Sequence, residues 1–338
     1  MKHAMRVTLM IGVAAGALMA MVGNRLYAQA ADPNAAPNPY RMEENWAKLP
    51  DDRKWGEAIA VEVDHSDGKS IWVFDRCGSK ECTTSMIPPI QKFDSAGKFV
   101  RAFGAGLFAV PHGLYVDRDG NVWATDQIAR NGKGADVIKF SPDGKVLMTL
   151  GKPGVPGNDA DHLDGVSDVV VGANGDIFVA DGHGTGTNDR IVKFSKDGKF
   201  IKAWGKHGKG PGEFDVPHGI AMDSAGRVYV GDRSNGRVQI FDADGKFLAE
   251  WKQFGRPSSV SIDKNDMIYV ADTQSNATNN PGFKQGIRVA SVKDGKVIAF
   301  IPEASADVGN PEGIAVDDQG TIYGGFVGKM NLRRYVKQ

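Results

Sequence analysis

Two histidines and one glutamate, His112, His218 and Glu312, occupy the same position in a pattern that recurs along this chain of 338 residues. Imidazole nitrogens and a carboxylate are ligands of catalytic zinc sites that keep one coordination position open. The other copies of the pattern carry no such ligand there, but Ile59, Ser167 and Ser258. Copies arranged around one axis would therefore bring three alternating ligands to a single ion. The sequence predicts a zinc site, and the alternative is that the histidines form hydrogen bonds inside a channel while the glutamate lines its wall.

A second set of polar side chains follows the aspartate that ends another segment of most copies. Arg76 and Arg233 come directly after such an aspartate, and His183 stands two residues after another. Two guanidinium groups over a central cavity suit a substrate carboxylate, because a guanidinium binds a carboxylate through paired hydrogen bonds. The alternative is that each arginine forms a salt bridge between neighbouring copies. The aspartates themselves are predicted to be structural and to accept hydrogen bonds from loop amides.

Short apolar segments and turns make up the pattern that positions these side chains. Its clearest copy has four such segments, at 217–223, 227–232, 237–241 and 246–251. β-Branched and aromatic residues fill them, as in short strands. Related units begin near Ala58, Pro111, Val166, Pro217, Pro257 and Pro311. Four-stranded repeats of about 40 to 55 residues are typical of propeller blades, so the sequence predicts an all-β fold, a six-bladed β-propeller with four-stranded antiparallel blades, rather than a sandwich or a solenoid.

The last unit supplies only three strands, at 313–316, 321–323 and 331–336. A strand from elsewhere must complete its blade. The segment Tyr40–Leu49, which contains Trp46, is available. We therefore expect a propeller over residues 40–338 that closes by joining its N-terminal strand to the final blade.

Composition narrows the class of protein further. The 43 glycines are roughly 13% of the chain against an average of about 7%, which indicates many tight turns and few long helices. The 41 basic residues equal the 41 acidic residues, so the chain has no excess positive charge with which to neutralise a run of phosphates. Nucleic acid is therefore not an expected partner.

The first thirty residues have the layout of a secretory signal peptide. Lys2 and Arg6 precede an apolar run over 7–22, and Ala28-Gln29-Ala30 provides small residues for cleavage. A membrane anchor is the alternative, although this run is shorter than the roughly 20 residues that span a bilayer. Cleavage after Ala30 removes three of the 41 basic residues and no acidic one, which leaves a net charge of −3. We expect bacterial-type export to the periplasm or the medium, a disordered leader over 31–39, no membrane contact after cleavage, and a monomer.

Export bears on the only two cysteines, Cys77 and Cys82. In an oxidising compartment two cysteines this close in sequence can close a small disulfide loop. In the cytosol the same pair would indicate metal or redox chemistry. The disulfide is the prediction that agrees with export.

The repeat resembles the NHL repeat. Three segments carry the resemblance: Gly219–Asp223, Tyr229–Asp232 and the strand that begins Arg237-Val238. Nearly all of the chain after the leader shares the pattern. Within this group the chain is similar to peptidyl-α-hydroxyglycine α-amidating lyase, a propeller enzyme that releases a peptide amide and glyoxylate. The segments that carry this second likeness are 108–114, 120–126, 179–182, 190–192, 214–218 and 232–237.

The resemblance to the lyase implies roles for particular residues. Two of the family's three zinc histidines fall on His112 and His218, and its substrate arginines fall on Arg76 and Arg233. The chain departs from the family at the third histidine, which is Glu312 here, and at the acid that follows it, which is Gly313. Because a glycine supplies no carboxylate, the family's structural calcium is not expected.

The family's tyrosine base falls on His183, which can still accept a proton near neutral pH. The resemblance therefore implies a metal-dependent lyase that acts on a small or peptidyl carbinolamide bound at the propeller mouth. A non-enzymatic scaffold that binds a ligand or a protein in the periplasm is the alternative, because a propeller fold does not fix a function.

Overall fold

A computed structural model describes residues 32–50, 52–303, 310–328 and 330–338, and every regular element in these ranges is a β-strand. Within these ranges, twenty-four strands form six antiparallel sheets of four strands each. The innermost strand of each sheet contacts the innermost strand of the next sheet. The sixth sheet contacts the first in the same way, so the ring is closed. The predicted all-β six-bladed propeller is confirmed. The predicted signal peptide lies outside the described residues, none of which forms a helix long and apolar enough to cross a bilayer.

Each blade consists of four strands that follow one another in the chain, except the last. Blade one contains β2 (Ala58–Val63), β3 (Ile71–Asp75), β4 (Ile90–Phe93) and β5 (Phe99–Phe103). Blade two contains β6 (Pro111–Val116), β7 (Val122–Asp126), β8 (Asp136–Phe140) and β9 (Val146–Gly151). Blade three contains β10 (Val166–Val171), β11 (Ile177–Asp181), β12 (Arg190–Phe194) and β13 (Phe200–Trp204).

The other three blades repeat this order. Blade four contains β14 (Pro217–Met222), β15 (Val228–Asp232), β16 (Arg237–Phe241) and β17 (Phe247–Trp251). Blade five contains β18 (Pro257–Ile262), β19 (Met267–Asp272), β20 (Gly286–Ser291) and β21 (Val297–Pro302). Blade six contains β22 (Asn310–Val316), β23 (Ile322–Val327), β24 (Asn331–Lys337) and the N-terminal strand β1 (Tyr40–Glu44).

The core lies between the faces of neighbouring blades. The second strands β3, β7, β11 and β15 are buried at every residue because both of their faces are covered. Between blades one and two, Trp72, Phe74, Phe108 and Phe140 pack in one cluster. The outermost strands β5, β13 and β17 have no fully buried residue, which accounts for their weaker apolar pattern.

The N-terminal strand closes the ring as predicted. β1 pairs antiparallel with β24, from Tyr40 opposite Lys337 to Glu44 opposite Arg333. The strand is shorter than the segment 40–49 proposed from the sequence. Trp46 lies just beyond it and packs on the ring of Tyr323, with the two ring centroids 5.0 Å apart.

Residues 32–39, expected to be a disordered leader, lie against blade five. The side-chain oxygen of Asn34 accepts hydrogen bonds from the amide of Lys284 at 2.9 Å and from the guanidinium of Arg288 at 2.7 Å. The carbonyl of Pro37 accepts one from the amide of Phe300. The sequence predicted disorder because the segment has too little apolar surface to bury. Polar contacts with blade five hold it in place instead.

Cys77 and Cys82 form a disulfide, with their Cα atoms 5.4 Å apart, and this confirms the predicted pairing. The bond closes the loop that follows β3. The amide of Cys82 donates a hydrogen bond to the carbonyl of Ala109, at the start of the next blade. The disulfide loop therefore joins blade one to the segment that enters blade two.

The aspartates at the ends of the second strands are structural, as predicted. Each of these aspartates is fully buried and accepts hydrogen bonds from backbone amides. The amides belong to the loop that precedes the inner strand of the same blade, or to the loop that directly follows the aspartate. Asp126, for example, accepts from the amides of Ala109 and Val110. Asp232 accepts from the amide of Asp215 at 2.8 Å. These bonds fix the loops at the mouth of the propeller, where the candidate site lies.

Candidate metal centre at the propeller axis

The three predicted metal ligands come together on the axis, and a fourth side chain joins them. His112 lies on β6, His218 on β14 and Glu312 on β22, and each directly follows a proline near the start of its strand. His183 follows β11. The candidate ligand atoms of these four residues all lie within 4.8 Å of one another. The first three are buried and His183 is half-buried.

A break in strand register at each histidine directs its side chain. The pairing of β6 with β7 shifts between Pro111 and Leu114, and the same shift occurs in β14. Such bulges turn a strand locally and change where a side chain points. The glycine after each ligand permits a close approach to the next blade, since a Cβ on Gly113 would lie 2.5 Å from the carbonyl oxygen of Ser167.

That close approach fixes the tautomer of both histidines. Nδ1 of His112 lies 2.8 Å from the carbonyl oxygen of Ser167, and Nδ1 of His218 lies 2.5 Å from that of Ser258. A carbonyl oxygen only accepts, so Nδ1 carries the proton and Nε2 has a free lone pair. This is the arrangement of metal-binding histidines, whose second nitrogen is oriented by a backbone carbonyl or a carboxylate.

The unpaired nitrogen of His218 shows whether these residues fit a metal ion. Its Nε2 is fully buried and has no hydrogen-bond partner. Oε1 of Glu312 lies 3.1 Å away but outside the direction of a hydrogen bond. A buried nitrogen without a partner is unfavourable unless something binds it. Imidazoles with a carboxylate form a zinc ligand set, so these residues fit the ion that the resemblance implies.

Burial keeps these imidazoles neutral. It lowers the pKa of His112 well below the usual value, and the charges of His183, His218 and Arg76 lower it further. The pKa of His218 is lowered mainly by burial and next by Arg233. Neutral imidazole is the form that binds a metal. The histidines therefore have their metal-binding protonation state at neutral pH.

His183 lies between two polar side chains. Its Nδ1 is 2.6 Å from Nε2 of Gln127, and its Nε2 is 3.3 Å from Nη2 of Arg233. A guanidinium only donates, so Nε2 is the accepting nitrogen and Nδ1 carries the proton. This tautomer requires the amide of Gln127 to present its oxygen, in place of its nitrogen, to Nδ1. Burial lowers the pKa of His183 well below its usual value, and the charges of His218 and Arg233 add to the effect. His183 is therefore neutral at neutral pH.

The two arginines lie at the same mouth, and each contacts a carboxylate of the chain. Arg233 lies 3.4 Å from Glu312 through Nη1, while its buried Nε has no hydrogen-bond partner. Arg76 pairs with Glu57 at 2.6 Å and donates from Nε to the carbonyl of Pro111. The structure thus brings all six predicted site residues to one end of the axis.

Sequence reasoning assigned no role to Gln127 and Glu57, which contact the site. Gln127 occupies the position after the second-strand aspartate, as do Arg76 and Arg233, so the repeat carried a signal for it. Glu57 precedes β2 and has no counterpart in the ligand pattern. From the ligands, a narrow cavity of about 50 Å³ continues along the axis between the inner strands. This volume suits an ion or water and excludes a peptide, so a larger ligand must bind at the mouth.

Comparison with known proteins agrees with this architecture. A family described as a 6-bladed beta-propeller matches residues 159–298. The human NHL repeat-containing protein 3 is 34% identical over 199 residues, which cover 57% of this chain and 54% of that protein. The structure of XC5397 from Xanthomonas campestris, described as a gluconolactonase, superposes with a TM-score of 0.60 at 13% identity, over 90% of this chain and 92% of that one. At that identity the likeness shows the fold alone.

Amidating enzymes are also among the relatives. Peptidyl-glycine alpha-amidating monooxygenase B of Xenopus laevis is 34% identical over 259 residues, or 73% of this chain and 28% of that protein. A probable peptidyl-alpha-hydroxyglycine alpha-amidating lyase of Caenorhabditis elegans is 41% identical over 140 residues, or 40% of this chain and 38% of that one. The chain is a six-bladed propeller that resembles the NHL repeat proteins and the amidating lyases. The matched region spans about half or less of each of these relatives.

Gly313 marks the departure of this propeller from the lyase pattern. A Cβ at this position would lie 2.6 Å from the carbonyl oxygen of Ile59 and 2.6 Å from Cα of Ala60, in blade one. Blades six and one therefore approach too closely here for a side chain. The absence of a carboxylate at 313 is part of the packing of this ring.

Proposed function

We propose that this propeller is an exported, metal-dependent lyase that cleaves a carbinolamide, such as a peptide extended by α-hydroxyglycine, into an amide and glyoxylate. The observation that carries the proposal is the group of three imidazoles and one carboxylate within 4.8 Å of one another, with Arg233 in contact with two of its members. The names of the amidating relatives support the reaction class.

His112, His218 and Glu312 would hold the metal, because Nε2 of both histidines is unprotonated and Glu312 supplies the negative charge. When bound, such an ion supplies a positive charge that polarises a hydroxyl or carbonyl oxygen. The chain's own residues supply the remaining contacts. Metal dependence and the identity of the ion are part of the proposal.

Arg233 is suited to hold the substrate carboxylate. Its buried Nε has no hydrogen-bond partner, and a guanidinium offers five donors in a planar array. Arg76 lies on the opposite side of the mouth and provides a second guanidinium. Together they place the carbinol carbon of an α-hydroxyglycine near the group of imidazoles.

His183 is suited to accept the proton of the substrate hydroxyl. Its unprotonated Nε2 lies beside Arg233, the residue that would hold the substrate carboxylate, and Gln127 orients the ring through Nδ1. Removing this proton as the bond between carbon and nitrogen breaks gives an aldehyde, and protonation of the departing nitrogen gives the amide. The reaction consumes no water and no oxidant.

The direct test is to incubate the metal-replete protein with a peptide extended by α-hydroxyglycine and to measure glyoxylate. We expect production that falls at least about 100-fold in His112→Ala, since one ligand and its orientation are lost. His207→Ala is the matched control, because His207 is largely exposed and contacts Asp189 away from the axis. Glyoxylate no higher in wild type than in His112→Ala would exclude the lyase.

Export is a separate part of the proposal. We expect the protein recovered from the periplasm or the medium to begin at Ala31, since cleavage follows Ala30. Its intact mass should show one disulfide and no alkylatable thiol before reduction. Recovery of the uncleaved chain in the membrane fraction would support an anchor instead.

A binding scaffold is the second candidate function. The observation that favours it is that both arginines at the mouth already contact carboxylates of the chain, Glu57 and Glu312. A closed set of ion pairs can organise a surface for a ligand without reacting with it. Should no glyoxylate form, capture of a periplasmic partner that Arg76→Ala no longer retains would favour the scaffold.

A further inference from the structure

Blade two lacks an ion pair that blades three and four have. In blade three, Arg190 stands opposite Asp181 in the strand register, and its Nε donates to that carboxylate at 2.9 Å. In blade four, Arg237 stands opposite Asp232 in the same register and donates at 2.7 Å. In blade two the residue opposite Asp126 is Asp136. A carboxylate thus takes the position of a guanidinium.

The guanidinium groups of blades three and four lie in similar surroundings. Arg190 also donates to the carbonyls of Asn158 and His162, in the loop that precedes the inner strand of its blade. Arg237 likewise donates to the carbonyls of Gly210 and Glu213. In each blade, a buried aspartate and a loop of carbonyls surround one planar cation.

The corresponding part of blade two is a cavity. Its volume is about 260 Å³, and its walls include Asp136 together with Gly106 and Leu107 of the loop that precedes β6. Ile138, Val146 and Pro153 add apolar surface. The space beside the aspartate is therefore open in the blade that has no arginine.

Asp136 lacks a partner inside this cavity. Its side chain is 2% exposed, and its Oδ1 accepts no hydrogen bond. In the part of the chain that the structure describes, neither Asp126 nor Asp136 forms an ion pair. Burial, followed by the charge of Asp126, raises the pKa of Asp136 to about 8. Without a partner Asp136 is therefore mostly protonated at neutral pH, and a bound cation would favour its charged carboxylate form.

We propose that this cavity binds a guanidinium group carried on a short alkyl chain, as in an arginine side chain or a free alkylguanidine, with Asp136 as the carboxylate that receives it. The apolar walls suit the methylene groups, as they do for buried arginine stems. A calcium ion fits less well, because it needs six to eight oxygen ligands and both oxygens of Asp126 already accept amide hydrogen bonds.

Lys133 is the cation of the chain nearest to this cavity. It lines the wall, but its Nζ donates to the carbonyl of Thr83 at 3.0 Å, on the neighbouring blade. Its charge lowers the pKa of Asp126 without an ion pair. Lys133 therefore borders the opening of the cavity and forms no ion pair with Asp136.

Isothermal titration of the full chain with n-butylguanidinium tests the proposal. We expect one saturable site, and binding at least about tenfold weaker for the neutral butylurea, because only the cation forms charge-assisted hydrogen bonds. Acetyl-arginine amide distinguishes a peptide arginine from a small guanidine, and binding of either ligand supports the site. No saturable binding of any of these, or displacement of butylguanidinium by calcium chloride, would overturn it.

A substitution inside the cavity gives a second measurement. Asp136→Arg places a guanidinium where blades three and four have theirs, so it should abolish butylguanidinium binding and raise the melting temperature. Asp136→Asn keeps the shape and should weaken binding at least about tenfold through loss of charge. His218→Ala should bind the ligand normally, which separates this site from the metal centre. Unchanged binding, or a lower melting temperature, in Asp136→Arg would refute the proposal.

Discussion

Replacing His218 with alanine should abolish stoichiometric metal binding. The change removes a buried imidazole whose Nε2 has no partner within the protein, and it leaves the carbonyl of Ser258 without its donor. His112 and Glu312 then remain, on blades two and six, as a set with one ligand fewer. Loss of a single ligand weakens a metal site strongly, since structural and catalytic zinc sites use three or four protein ligands.

Elemental analysis of protein purified without chelator measures this result. We expect close to one divalent ion per wild-type chain and almost none in His218→Ala. His207→Ala should keep the wild-type content, because this exposed histidine lies away from the axis. Wild-type protein that contains no metal, and takes none up when titrated with zinc, would refute the metal centre.

Glu312→Gln separates charge from shape in the same site. The amide keeps the volume of the side chain but removes the negative charge that faces His218 and Arg233. We expect weaker metal uptake than in wild type and a folded protein, in contrast to the complete loss in His218→Ala. Equal metal content in Glu312→Gln and wild type would show that Glu312 is a wall residue.

A chain shortened to begin at Ala58 should lose much of its stability. It lacks β1, so β24 becomes an open edge with unpaired backbone groups, and it lacks the buried ring of Trp46. Removing a buried tryptophan side chain alone costs about 3–5 kcal/mol. For a chain of this size, we expect a melting temperature lower by roughly 10 °C or more.

Two chains serve as controls for this measurement. A chain that begins at Asp32 keeps β1 and should have the same melting temperature as the full mature protein. With Trp46→Ala in the chain that begins at Asp32, the melting temperature should lie between those of the chains that begin at Asp32 and at Ala58. The strand pairing remains in this variant, while the contact with Tyr323 is lost. Equal melting temperatures for chains that begin at Asp32 and at Ala58 would show that β1 does not close the ring.

The repeat made most of the fold predictable from the sequence. Each blade is a local unit of four consecutive strands, so the spacing of apolar segments was sufficient to place the start of every inner strand close to its observed position. The closing strand was also accessible, since blade six lacked a partner in its own unit. The end of this strand at Glu44 could not be predicted from the sequence. Trp46 and Ala47 are as buried as strand residues although they lie outside the strand.

The candidate site was predictable only as far as the repeat aligned its residues. His112, His218 and Glu312 share one position, and this was enough to bring them together. His183, Gln127 and Arg233 follow second-strand aspartates of three different blades, so the repeat placed them at one mouth, but it did not specify which of them pair. The ordered segment 32–39 escaped prediction for the same reason, since Asn34 contacts residues about 250 positions away.

The carbonyl that orients each histidine belongs to the following blade, and this has a consequence for how such a ring can change over generations. Ser167 positions His112, and Ser258 positions His218. The orienting group is a backbone carbonyl, and blade one presents the carbonyl of Ile59 beside Gly313 in the same way. A blade transferred alone would therefore still meet an orienting carbonyl in its new neighbour. What such a ring must inherit intact is the order of its blades, since a ring that gained or lost one blade would keep its strands while losing the alternation that places the ligands.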